Sequence, residues 1–139
     1  MKQLAFFLSL FIFVSVSCKK DDNSNSGATN APNILKQGNW RITLYNDSGK
    51  DETSYFTGYT FTFVNGVVNA VAGSSSVSGT YATKFDDSKN KLVLNFAATS
   101  PFDELNDDWH IVEETNTKIR LQDVSGGNGE TDLLTFEKN

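Results

Sequence analysis

The chain of 139 residues carries 12 Lys and Arg against 17 Asp and Glu, a formal charge of -5, 38% hydrophobic residues, two prolines and one cysteine. A length of this order fits one domain, and the shortage of basic residues excludes binding that tracks nucleic-acid phosphates. One cysteine closes no internal disulfide, and with one histidine it does not fill a structural zinc site of four nitrogen or sulfur ligands.

Met1 and Lys2 precede an uncharged apolar run at residues 4–16, LAFFLSLFIFVSV. As a helix it spans about 20 Å, short of the roughly 30 Å of bilayer hydrocarbon. A charged start, an apolar centre and small residues before a cut describe a secretory signal peptide, residues 1–17. Val16-Ser17-Cys18 then resembles the lipobox of bacterial lipoproteins, with Ser15 where that pattern usually has Leu. The resemblance implies that Cys18 becomes the lipidated first residue of the mature chain. It also gives the only thiol a role, since a lone exposed cysteine in an oxidising compartment is a liability. Each buried acyl methylene stabilises attachment by about 0.8 kcal/mol, so the chain would be tethered to the membrane rather than spanning it. Lys19-Lys20-Asp21-Asp22 resembles the Lys-then-acidic signal that sends some Gram-negative lipoproteins to the outer face of the outer membrane, which makes cell-surface display the expected location. From Asn23 the chain reads NSNSGATNAP, too poor in apolar residues to offset its own ordering entropy. Residues 18–33 therefore read as the lipidated cysteine and a flexible linker, and residues 34–139 as the folded domain.

Within that domain apolar residues alternate at period two, the pattern of strands with one buried face. Trp40, Ile42 and Leu44 share one face of a first strand; Tyr59, Phe61 and Phe63 share one face of a second. Asn65-Gly66 joins the second strand to a third, VVNAV, because both residues tolerate the positive φ of a two-residue hairpin turn. Further strands follow at residues 76–83, 91–96, 109–113, 118–123 and 133–138, making eight. Ser100-Pro101-Phe102-Asp103 reads as an N-cap, a proline at the first helical position and a carboxylate near the dipole, a short helix over 101–106 between strands five and six. Short connections favour sequential antiparallel pairing. Closure into an up-and-down barrel removes the unpaired edges that a sandwich would leave.

Gly38-Asn39-Trp40 at the head of the first strand matches the Gly-x-Trp signature of lipocalins. With the lipobox and the eight-strand plan, the chain resembles the lipocalin-like domain of bacterial outer-membrane lipoproteins. The resemblance implies that Trp40 closes one barrel end and that an arginine from a late strand packs on it, Arg120 being the nearest candidate.

Catalytic chemistry finds little material. His110, the only histidine, alternates with Trp109 and Ile111 and so faces out of the barrel; no Gly-x-Ser-x-Gly elbow accompanies it. Asp103, Glu104, Asp107 and Asp108 form one acidic cluster and Asp47, Asp51 and Glu52 another, but neither has calcium-loop spacing. No catalytic residue, metal or cofactor is therefore assigned. Thirteen aromatics follow residue 17, and an eight-stranded interior has room only for side chains or one small ligand. Filling by side chains is the expectation, with a shallow apolar cup at one mouth as the alternative. The segment 45–58 is the natural lid of such a mouth, and Tyr55, Phe56 and Phe102, aromatics in polar connections, are its candidate ligand-binding residues. The function that follows is a non-enzymatic binding or interaction module for a small apolar molecule or a protein. A carboxylate-dependent hydrolase and a purely structural envelope lipoprotein are the alternatives.

Overall fold

The computed structural model describes residues 28–97, 100–124 and 129–139. The signal peptide expected at residues 1–17, Cys18 and the Lys19–Asp22 cluster lie outside the described residues. A short helix α1 (Ala31–Leu35) leads into β1 (Trp40–Asp47), β2 (Lys50–Asp51), β3 (Thr60–Val64), β4 (Val67–Ala72), β5 (Ser75–Asp86), β6 (Lys89–Phe96), β7 (Asp107–Glu114), β8 (Lys118–Val124) and β9 (Thr131–Lys138). Each long strand pairs antiparallel with its neighbours, and β9 pairs back onto β1, so β1 and β3–β9 close an eight-stranded barrel. The two residues of β2 only extend the edge of β1. Closure leaves no long edge to protect, as the sequence pattern anticipated.

The tightest turn forms as its residues dictate. Asn65 and Gly66 take φ of 50° and 83°, and β3 and β4 pair from Val64↔Val67 to Thr60↔Val71. Alternation likewise places Phe61, Phe63, Val68, Ala70, Leu92, Leu94 and Phe96 inside. The first strand departs from simple alternation. Its register on β9 shifts between Ile42 and Leu44, and the bulge turns Tyr45 inward in place of Leu44. Two residues opposite one rotate every later side chain to the other face, an effect that period-two reading cannot see.

The joint between β1 and β3 is a single pair, Trp40↔Phe61. Above it the free edge of β1 is satisfied locally: Tyr45 N–H donates to Thr53 Oγ1 at 2.8 Å, and Glu52 N–H donates to the Tyr45 carbonyl at 2.9 Å. These bonds hold a 3-10 turn (Thr53–Phe56) against the barrel. The helix expected over 101–106 is one 3-10 turn, Phe102–Leu105, with Pro101 in the cap position and no side-chain cap. Ser100 donates to Glu104 instead of capping. Asn106 ends the turn by bonding both main-chain groups of Phe96 on β6.

Helix α1 begins three residues ahead of Ile34, in the stretch read as linker. Ala31, Ile34 and Leu35 are buried, and the Trp40 indole donates to the Leu35 carbonyl at 2.9 Å. Among the described residues the core runs from Ala31 to Phe136. The cation over the Trp40 ring is Lys138 of β9, 5.5 Å from its centroid, whereas Arg120 faces outward and pairs with Glu113 at 3.2 Å. Arg120 falls on the outward phase of β8, between inward-facing Ile119 and Leu121, so it cannot reach the core end of Trp40. Gly38 makes room for Lys138: its φ is 138°, and a Cβ there would lie 2.8 Å from Lys138 Cε. Gly38→Ala is expected to cost about 1–3 kcal/mol from backbone strain, read as a lower denaturation midpoint. An unchanged midpoint would remove Gly38 from the Gly-x-Trp argument.

Candidate functional site

The barrel mouth distant from α1 is covered by the two 3-10 turns. Phe56 and Phe102, expected to be reachable, are both buried in the structure, their ring centroids 5.6 Å apart in an edge-on arrangement. Phe102 also packs on Tyr59, Phe61 and Phe96, and Phe56 on Tyr45. The large apolar area of each ring, added to edge-on attraction, draws them inward although they sit in polar connections. Of the three candidates only Tyr55 stays on the surface, 49% exposed. Side chains fill the interior here, and the segment 45–58 acts as a stopper, with Phe56 at its tip. Tyr45 completes the seal by donating its hydroxyl to the Glu104 carbonyl at 3.1 Å, and burial beside Asp47 and Glu104 pushes its phenol far above the usual value.

Polar chemistry gathers on the outer wall of β6, β7 and β8. His110 lies there, on the face opposite Trp109, with Lys91 and Gln122 as its cross-strand partners. Together with Asp108, Asp123 and Val124 they line a cleft of about 170 Å³. Lys84 and Lys91 both bind the Asp108 carboxylate, Lys91 at 3.0 Å, and these two ammonium groups lower its pKa below the usual carboxylate value. Asp107 moves the other way: burial raises its pKa, opposed by the Asp108 main-chain N–H it accepts and reinforced by Asp123 and Asp108.

Carboxylate oxygens of Asp107, Asp108 and Asp123 lie within 4.8 Å of one another. The acidic run before β7 suggested the first two; Asp123 joins them only because β8 pairs with β7. Asp103 and Glu104, expected in the same cluster, remain on the 3-10 turn away from it. These three acids could hold a hard cation through oxygen ligands, but a cation would compete with two ammonium groups already on Asp108. In the other acidic set Asp51 accepts from Thr53 and Glu52 is buried in an ion pair with Lys50, so both have partners.

His110 is held below its ordinary 6.5, first by partial burial and then by Lys89 and Lys91. Because the unfolded chain takes up that proton more readily, the contribution of His110 to stability is present above pH of about 6.5 and is lost as pH falls below it. Its NMR titration midpoint is expected below 6.5, and Lys89→Met should move it upward. A midpoint at or above the ordinary value would contradict the arrangement.

No family model matches the chain, and no curated protein matches it. Solved structures do. A DUF4847 family protein from Bacteroides vulgatus superposes with a TM-score of 0.51 at 14% identity, over 78% of this chain and 97% of that one. A protein from Burkholderia xenovorans gives a TM-score of 0.45 at 16% identity, over 100% of this chain and 99% of that one. At such identities the likeness to the first is one of fold.

Proposed function

We propose that this protein is an outer-membrane lipoprotein, anchored through Cys18 and displayed at the cell surface, whose barrel is a non-enzymatic interaction module. The observation that carries the anchor is the position of the only cysteine, directly after an apolar run too short to span a bilayer. Support for the lipocalin-like label comes from Gly38 and Trp40 at the head of β1 in a closed eight-stranded barrel, with a cation on the tryptophan. Support for recognition by the outside of the barrel comes from the packed aromatics within. The cleft at His110 contains neither a hydroxyl nor a thiol among its lining residues to serve as a nucleophile.

Mass spectrometry of the membrane fraction tests the anchor: the expected species begins at an acylated Cys18 and lacks residues 1–17. Cys18→Ala should prevent acylation and maturation. An unmodified cysteine or an intact Met1 in wild type would end this reading. For the module, a screen of esterase, glycosidase and peptidase substrates is expected to show no turnover. Turnover abolished by His110→Ala or Asp107→Asn would replace the interaction module with the hydrolase reading.

A further inference from the structure

The strand directions put α1, the Asn65-Gly66 turn, the Asp87-Ser88 turn, the β7–β8 turn and the end of β9 at one end of the barrel. The charges divide along the same axis. Among the described residues Lys50 is the only Lys or Arg at the opposite end, where Asp47, Asp51, Asp103, Glu104, Asp107 and Asp132 gather. The α1 end is basic. Lys36, Lys89 and Lys138 have no carboxylate partner among the described residues, while the acids there lie beside cations: Asp86, Asp87 and Asp108 share Lys84 and Lys91, Glu113 pairs with Arg120, and Glu137 with Arg41 and Lys118. Glu114 accepts from Thr29 and Asn30. The same end carries exposed apolar tips, Phe85 at 56% and Val64 at 55%.

The chain enters the fold at this end too. Ala28 and Thr29 line a depression of about 190 Å³ with Phe85 and Lys84. Ala28 lies ten positions after Cys18, a contour of at most about 35 Å and a root-mean-square reach of about 17 Å for a flexible chain. Strands of eight residues are about 25 Å long, so a short tether that enters at the α1 end keeps that end toward its anchor.

We infer that the α1 end of the barrel docks on the anionic lipid headgroups of the membrane that holds the anchor, with Lys36, Lys89 and Lys138 facing the phosphates and Phe85 and Val64 entering the interface. A cationic patch beside an acyl anchor supplies the second attachment that fixes orientation. The acidic end, with Tyr55, then points away from the membrane and is repelled by it. This inference rests on the anchor reading proposed above, and its test needs no lipid on Cys18.

Residues 19–139 contain the whole core found among the described residues and so carry the barrel without residues 1–18. They are expected to float with vesicles of phosphatidylcholine and phosphatidylglycerol, not with phosphatidylcholine alone, and to be released by high salt. Removing one such cation weakens binding about fivefold, so Lys36→Gln with Lys89→Gln should weaken it about 25-fold. Phe85→Ser should weaken binding, whereas Tyr55→Ser at the opposite end should not. Absence of flotation, equal binding to neutral vesicles, or equal losses in the Phe85 and Tyr55 variants would overturn the docking while leaving acylation of Cys18 untouched. An oligomer formed without vesicles and broken by Phe85→Ser would assign this end to a second copy instead. Flotation of residues 19–139 together with an unmodified Cys18 in cells would overturn the anchor alone.

Discussion

Replacing Trp40 with alanine is expected to remove about 3–5 kcal/mol of stability, most of the margin of a domain this size. Trp40 is fully buried, forms the one pair that joins β1 to β3, and donates its indole N–H to Leu35 of α1. Truncation therefore opens a cavity where the barrel seam is thinnest and also detaches the helix that covers that end. Trp40→Phe separates the two effects, since it keeps most of the ring volume but leaves the Leu35 carbonyl without its donor, a loss of about 1–3 kcal/mol. Chemical denaturation reads both. A midpoint unaffected by Trp40→Ala would mean that β1 is not the closing strand.

Phe102→Ala is expected to cost a similar 3–5 kcal/mol or so, at the other mouth. Its ring lies 5.0 Å from Tyr59, 5.3 Å from Phe96 and 5.6 Å from Phe56, so one side chain ties the second 3-10 turn to β6, to the start of β3 and to the first 3-10 turn. The loss should be accompanied by faster amide exchange at Tyr55 and Thr57, whose N–H groups bond within the turn that Phe56 anchors. Exchange there that stays as slow as in the wild type would show that the stopper is held without Phe102.

Neither ring was recognisable as a core residue from its place in the chain. Phe56 and Phe102 stand among polar neighbours with no strand period, and a lone aromatic in a loop reads equally well as a surface contact. What buries them is the closure of strands distant in sequence, which leaves an apolar mouth for whichever nearby rings can fold over it. The same reason explains Asp123, brought to Asp107 and Asp108 by the β7–β8 ladder, and Lys138, brought over Trp40 by the β1–β9 pairing.

Local chemistry alone determined the antiparallel strand plan, the Asn65-Gly66 turn, the outward phase of His110 and the singular place of Cys18. Side-chain periodicity, positive φ and residue scarcity belong to the chain before it folds. Tertiary structure decided the bulge that turns Tyr45 inward, the helix drawn from an apparent linker by Trp40, the burial of Phe56 and Phe102, and the charge polarity between the barrel ends. Each depends on which residues meet across the closed sheet, and sequence order does not specify that meeting until β9 reaches β1.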